Sequence, residues 1–565
     1  MTDRVWLAHY DPGVPASIDY PEIPVFAFLE EAARQHPDLP CTIFRDQRVT
    51  YGQMKALTDR LAAALQALGV RKGQRVGLFL PNLPQFVLAY YAVLKAGGVV
   101  AAMNPAYKQR ELAFQAGDAG VEVLIGLSSA FELFQAVRAQ AAANGQRTLS
   151  KLILTRIEDA ADLQAWAWGA AVPAQSEPAL MPGDAWLGEL IASQSLDARP
   201  RGDVGAHDEA IFQYSGGTTG TPKGAVALHR NLVANSLMFR HWLVGLEQGR
   251  ETALLAIPLY HGYGMVVGMS VSILLGAAMV LIPDPRNLPD LLASIDQYQA
   301  SFFPGVPTLY ALINQNPDVR AGKYRLRSIR ACISGSAPLL REVREQFEAL
   351  TGAQLMEGYG LSEAPTATHC NPMFGEKRSG SIGLPLPDVD CQIVSLEDGQ
   401  TVLAPGEIGE LVLRSPQVMV GYHNRPEETA EALRGGWLHT GDIARMDEDG
   451  YFYIVDRKKE LIKVSGFQVW PREIEEVIAS HPAVFECSVA GIADPIRGEA
   501  PKAWVVLRPG AQASAEEIRA WCEVNLVYYK IPVEVEFRAG LPRTMVGKVL
   551  RRELVREHNE SKDRA

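Results

Sequence analysis

From Val49 to Gly126 the chain alternates short apolar runs with amphipathic stretches, and this alternation restricts the fold more than any other feature. Met54, Leu57, Leu61, Leu65 and Leu68 recur at helical spacing, and Gly69 is placed to end that helix. Arg75 to Leu80 is a short apolar strand, Gln85 to Lys95 a second helix, and Gly97 to Ala102 a second strand. Glu111 to Ala116 is helical again and Val121 to Gly126 extended. Such a rhythm specifies an α/β layered domain built on parallel sheet. A chain of 565 residues also exceeds what one core can serve, so further domains are expected.

Upstream, residues 1 to 50 hold Pro-rich entry segments and one helix around Val25 to Gln35. Downstream, residues 137 to 200 break the rhythm, and within them 158 to 200 read as a surface excursion, whose Trp166, Trp168 and Trp186 are expected to pack locally. Met265 to Ile282 lacks any charge and approaches the length that spans a bilayer. Gly268, Gly276, Ser270 and Ser272 interrupt it and Pro283 stops it, so a buried helix followed by a parallel strand is the expectation. Residues 380 to 455 are short alternating segments divided by Pro and Gly, which predicts a small β-barrel-like subdomain. The charged run Asp456-Arg457-Lys458-Lys459-Glu460 marks a boundary between a domain over 1–456 and an α+β domain over 457–565. Helices are expected near Pro471 to Ser480 and Ala515 to Leu526, and a frayed charged tail from Glu557.

The net charge of -11 argues against a general nucleic-acid binder. Six scattered cysteines without C-x-x-C spacing fit a reducing compartment, free thiols and no structural zinc. The N-terminus lacks the basic-then-apolar order of a signal peptide, and a cytoplasmic protein is expected.

The chemistry begins at Tyr214-Ser215-Gly216-Gly217-Thr218-Thr219-Gly220-Thr221-Pro222-Lys223-Gly224, directly after the apolar run Ala210-Ile211-Phe212. With so little side-chain bulk, its backbone N–H groups can close around phosphate oxygens, while the threonines add hydroxyls and Lys223 a charge. It is not a Walker A loop, because Lys223 lies between Pro222 and Gly224. Four further stretches carry chemistry: Glu357-Gly358-Tyr359-Gly360-Leu361-Ser362-Glu363, Thr440-Gly441-Asp442, Asp456-Arg457-Lys458-Lys459 and Pro542-Arg543-Thr544-Met545-Val546-Gly547-Lys548. Each alone reads equally as a turn or a solvated charge run.

Together and in this order the stretches resemble the motif series of the AMP-forming acyl-CoA synthetases, within the adenylate-forming superfamily. The likeness runs from Val49-Thr50-Tyr51 to Lys548. Finer detail resembles the long-chain fatty-acid CoA ligases of bacteria: Thr366 to Pro372, Ser379 to Gly383, Gly436 to Asp442 and Ser465 to Pro471. Ser362 stands where many relatives have threonine.

The resemblance implies two half-reactions: a fatty acid attacks the α-phosphorus of ATP and expels pyrophosphate, then the thiol of coenzyme A takes the acyl group and releases AMP. It implies that Ser215, Gly216, Gly217, Thr218, Thr219, Gly220, Thr221 and Lys223 hold the β- and γ-phosphates, with Thr218 and Glu363 on Mg²⁺. Ser362 would donate to the α-phosphate. Tyr359, within Glu357, Gly358 and Gly360, would stack on adenine, with Gly335, Ser336 and Ala337 on the other side. Asp442 would accept from both ribose hydroxyls beside Arg457, and Lys548 would bridge the attacking carboxylate and the α-phosphate. His261 would line the carboxylate end of the acyl pocket, with Met265, Val266, Val267 and Met269 behind it. The C-terminal domain would pivot at Lys459, bringing Lys463, Ser465, Gly466 and Phe467 toward the pantetheine channel. Peripheral association with the inner face of the membrane and homodimers are compatible with this reading.

Two alternatives stay open from the residues. One is an adenylate-forming ligase for an aryl or other acid or acceptor, with a light-emitting oxygenase as a remote variant. The other is a non-catalytic acyl-binding regulator on the same fold, which would have no use for Lys548.

Overall fold

The computed structural model describes residues 4–172, 178–214, 222–457, 460–464, 467–544 and 548–562. Two large sheets follow from the alternation. One has eight strands, ordered Gly421–Tyr422, Gly224–Leu228, Glu209–Tyr214, Val99–Ala102, Arg75–Phe79, Val123–Leu127, Lys151–Thr155 and Ala185–Trp186. Its pairings are parallel except on either side of Gly224–Leu228. The other has nine strands, with Ala331–Ser334, Phe302–Gly305, Thr252–Leu255 and Ala278–Leu281 in its parallel centre and antiparallel hairpins at both edges.

Local signals account for the helices between these sheets. Thr50 and Gln53 form a capping box that starts Tyr51–Leu68, and Gly69 at φ 108° closes it in the left-handed region. Every residue of Pro84–Lys95 is buried, as a helix apolar on all sides must be. Met265 to Ile282 is a buried π-helix, Tyr263–Ser270, then Val271–Leu274 and the strand Ala278–Leu281. Among the described residues no helix is long and apolar enough to cross a membrane.

Residues 390–457 form a four-stranded antiparallel sheet, Asp390–Val394, Gly409–Arg414, Leu438–Met446 and Phe452–Arg457, whose described pairings make an open ladder. A small C-terminal α+β domain follows. Five strands between Ile462 and Phe537 carry the helices Pro471–Ala479, Ala515–Asn525 and Arg551–Lys562. Its apolar residues, from Ile462 to Leu554, form core clusters of their own.

Three expectations need correction. The stretch from 158 to 200 is only partly a surface excursion. Ala185–Trp186 is the edge strand of the eight-stranded sheet, and Trp166 and Trp186 are both 2% exposed. Trp168 does not pack like its neighbours: it is 67% exposed. Nor does the chain fray at Glu557, because Arg551–Lys562 is helical throughout. His558 is buried against Lys502 of the sheet, and Glu557 pairs with Arg538 at the end of its last strand.

A candidate active site at the carboxyl ends of parallel strands

The strands Ala331–Ser334 and Gln354–Leu361 pair in parallel, Ser334 opposite Glu357. Gly335-Ser336-Ala337 and the Tyr359 segment therefore leave neighbouring strands at the same edge, where open α/β sheets bind ligands. Ser336 takes φ 72°, and a Cβ on Gly335 would stand 3.3 Å from the Tyr263 ring. The Tyr263 hydroxyl is spent on the Ile333 carbonyl at 2.7 Å, which fixes that ring beneath the turn.

Gln354–Leu361 folds back on Ala364–Cys370, with Leu361 opposite Ala364, so Ser362 and Glu363 form the two-residue tip of a hairpin. Gly360 is required there. A Cβ would fall 1.6 Å from the Thr366 carbonyl oxygen, far inside contact distance. Glu363 Oε1 accepts from the Tyr422 hydroxyl at 2.7 Å, and the Lys223 ammonium lies 5.2 Å from the Tyr422 ring centroid. Tyr422 thus links the exit of the glycine-rich loop to the hairpin tip. Sequence reading missed it, because 59 positions separate it from Glu363 and no local pattern marks it. Lys223 also lies 3.6 Å from Glu428.

Asp442 and Arg457 are direct partners across the Leu438–Met446 and Phe452–Arg457 strands. Arg457 Nε lies 3.2 Å from Asp442 Oδ1, and this carboxylate raises the guanidinium pKa. The Tyr359 hydroxyl donates to Asp442 Oδ2. Burial first, and then the Asp442 charge, pushes the Tyr359 phenol well above its ordinary range. Glu357 is buried on the same strand, and desolvation raises its carboxyl to about 8, opposed by the charges of Arg472 and Arg344. Gly358 stands at the hairpin's other end, opposite Cys370.

Lys548 reaches this cluster from the small domain. Its N–H donates to Thr544 Oγ1 at 3.1 Å and its carbonyl accepts from the Thr544 N–H at 2.8 Å, so Thr544 holds its backbone on both sides. Desolvation lowers its ammonium to about 8. The positive charge of Arg457 adds to that shift, and the negative charge of Asp442 opposes it.

His261 stands at the start of the buried π-helix. Burial lowers its pKa to about 4, and its Nδ1 accepts from the Tyr263 N–H at 3.3 Å, leaving Nε2 as the protonated nitrogen of a neutral ring. Behind it Met265, Val266, Val267 and Met269 are fully buried. A π-helical turn is a frequent mark of a functional site.

The structure therefore brings together Lys223, Ser362, Glu363, Tyr359, Asp442, Arg457 and Lys548. Lys463 and Phe467 lie apart from them, on the hairpin Ile462–Val464 and Phe467–Val469 of the small domain, both exposed. Ser215, Gly216, Gly217, Thr218, Thr219, Gly220, Thr221, Lys459, Ser465 and Gly466 fall outside the described residues.

Among the described residues no group of three His, Cys, Asp or Glu could hold a metal ion. Mg²⁺ keeps several waters and uses one or two carboxylates with substrate phosphates in place of a protein cage, so the question for this site is whether a single carboxylate is placed to serve. Glu363, on the hairpin tip, is the carboxylate that fits.

Residues 29–423 match the AMP-binding enzyme family, and residues 473–548 match the AMP-binding enzyme C-terminal domain. The chain is 40% identical to a long-chain-fatty-acid–CoA ligase of Bacillus subtilis, covering 99% of both chains. It is also similar to MatB of Rhodopseudomonas palustris, at 29% identity over 95% of this chain and 99% of that one. The TM-score is 0.82 to the ATP-bound structure and 0.72 to the apo structure. The chain belongs to the AMP-binding enzyme family.

Proposed function

We propose that the protein uses ATP to activate a fatty acid as acyl-AMP, releasing pyrophosphate, and then transfers the acyl group to coenzyme A, releasing AMP. The observation that carries this is the docking of the Lys548 segment, from one domain, beside Asp442 and Arg457 in another: Arg551, three positions after Lys548, lies 3.6 Å from Asp456, the chain neighbour of Arg457, and Arg457 lies 3.2 Å from Asp442. A transferable cation beside a ribose-binding pair is what the first half-reaction needs, because a carboxylate must approach a polyanion. The full-length likeness to a fatty-acid ligase supports the substrate and the acceptor.

In this reading Tyr359 stacks on adenine against Gly335, Ser336 and Ala337, and Asp442 takes the ribose hydroxyls with Arg457 in support. The 215–224 loop holds the outgoing phosphates, and Ser362 donates to the α-phosphate. Mg²⁺ bound by Glu363 and Thr218 would neutralise phosphate charge. Lys548 spans the attacking carboxylate and the α-phosphate. His261, neutral near pH 7, offers Nε2–H to the carboxylate end of the acyl chain. The closer likeness to the ATP-bound than to the apo MatB structure supports placing this arrangement in the first half-reaction. Rotation at Lys459 then presents Lys463 and Phe467 for the second. The enzyme works in the cytoplasm, meeting its acid in solution or at the inner face of the membrane; vesicle co-sedimentation and light scattering test membrane contact and dimerisation.

The test is ATP–pyrophosphate exchange across straight-chain acids from acetate to oleate, with benzoate and a cinnamate alongside, followed by AMP release with coenzyme A. A maximum at long chains with thioester formation is expected. A maximum on an aryl acid would overturn the substrate, and no acid-dependent exchange would overturn the activity.

A further inference from the structure

Asp456 bridges the residues before and after the charged junction. It is the second-last residue of Phe452–Arg457 and is 4% exposed. Its Oδ2 accepts the backbone N–H of Arg472 at 2.8 Å, and its Oδ1 lies 3.6 Å from Arg551 Nη1. Arg472 also donates from Nη1 to the Ile454 carbonyl at 2.6 Å. Arg472 stands in the first turn of Pro471–Ala479, so Asp456 also places its negative charge at a helix N-terminus, where it is favoured.

Arg551 opens the last helix, three positions after Lys548. Beyond Asp456 it holds Glu475 at 2.7 Å and pairs with Glu460. These two carboxylates belong to the small domain and travel with it. Asp456 and Ile454 precede the charged junction, whereas Arg472 and Arg551 follow it. A rotation about position 459 that withdraws Lys548 must therefore break Arg472 from Ile454 and both arginines from Asp456, while leaving the Arg551 pairs with Glu475 and Glu460 intact.

We infer that Arg472 and Arg551 are positioning residues for adenylation: through Asp456 and the Ile454 carbonyl they latch Lys548 against the nucleotide site, and the latch is open during thioester formation. This rests on the proposed two-step reaction. Neither arginine touches a reacting atom, so the latch acts on the population of the adenylating arrangement and not on the chemistry of either step. Stripping a buried carboxylate of its backbone hydrogen bond and of a nearby guanidinium is costly, which makes the contacts strong enough to bias two domain orientations.

The test measures the half-reactions separately in Arg551→Met and Arg472→Met: acid-dependent pyrophosphate exchange, and thioester formation from synthetic acyl-adenylate with coenzyme A. Exchange is expected to fall about 10- to 100-fold while thioester formation stays within about 2-fold of the unsubstituted enzyme. Equal losses in both halves, or undiminished exchange, would overturn the latch. If Arg551→Met does not fold, Arg472→Met carries the comparison, with unfolding temperature as the control. A second readout needs no activity: the distance between spin labels at Glu448→Cys and Glu516→Cys. One dominant distance is expected in the unsubstituted background and a second population in the arginine variants; an unchanged distribution overturns the inference. Absence of both half-reactions in the unsubstituted enzyme would instead sink the proposed function, and the label distances would still decide the latch.

Discussion

Tyr359 donates its phenolic hydrogen to Asp442, and Arg457 takes the other carboxylate oxygen. A nucleotide whose ribose hydroxyls donate to Asp442 would compete with the phenol for that carboxylate, while the ring remains free to stack. Removing the hydroxyl and removing the ring should have different effects. Tyr359→Phe is expected to leave the KM for ATP within about 3-fold of its original value, since one competing donor to Asp442 is gone. Tyr359→Ala should raise it roughly 10-fold or more, in line with about 1–3 kcal/mol for an aromatic stack on a base. Steady-state ATP kinetics check this. Equal effects of the two substitutions would remove the stacking role.

Lys548 is expected to give adenylation a pH limit on the alkaline side. Its pKa is held at about 8, chiefly by desolvation and next by Arg457, so the charged form of the free enzyme declines as pH rises through 8. The kcat/KM for pyrophosphate exchange should fall over the same range, because that ratio reports the free enzyme. The same shift has a stability consequence. An unfolded lysine titrates near 10.4, so between about 8 and 10.4 the unfolded chain binds the extra proton, and this group makes stability rise with pH there. Lys548→Met should therefore unfold at a slightly higher temperature at pH 7 while losing about 3–4 kcal/mol of barrier stabilisation in adenylation. Lower stability together with full exchange would refute both roles.

Much of the fold could be read because its signals are local. The Thr50–Gln53 capping box, Gly69 and the apolar strands each report on their own neighbourhood. The site could be read only as separate stretches. Its assembly depends on contacts such as Tyr422 with Glu363 and Asp456 with Arg551, between residues far apart in the chain. Burial in the 158–200 stretch was hidden for the same reason. Trp166 and Trp168 look alike in sequence, yet only Trp166 lies in the core, where its carbonyl also accepts from buried Arg60. The helical tail is illegible for a like reason: a charge-rich segment carries no local sign of the Lys502 and Arg538 that stand opposite it.

Tyr422→Phe tests whether the link between the glycine-rich loop and the hairpin tip serves the metal. The substitution removes the 2.7 Å hydrogen bond to Glu363 and keeps the ring beneath Lys223. A residue that orients a metal-binding carboxylate typically costs 10- to 100-fold in metal affinity when removed. In the proposed reaction Mg²⁺ would also be held by phosphates, so a rise of about 3- to 10-fold in the Mg²⁺ concentration giving half-maximal exchange is expected. The KM for the fatty acid should stay unchanged. A Mg²⁺ dependence that does not move would leave Tyr422 with a packing role only.

Gly360→Ala asks how far the hairpin geometry is fixed by the backbone. The added methyl would stand 1.6 Å from the Thr366 carbonyl oxygen and 2.6 Å from the Ala367 Cα, and both are main-chain atoms with no rotamer to change. The strands must separate, which disturbs the pairing of Gly360 with Ala367 and of Leu361 with Ala364. Overpacking of well-packed structure costs about 1–3 kcal/mol, and a clash against backbone belongs at the upper end of that range or above it. The expected result is a lower denaturation midpoint with an unchanged denaturant slope, since the unfolded chain is hardly altered. Because Ser362 and Glu363 sit on the tip that Gly360 anchors, exchange should fall even at temperatures where the variant is fully folded. A variant as stable and as active as the parent would mean that the strands part at little cost, and that the tip is positioned from the Tyr422 side.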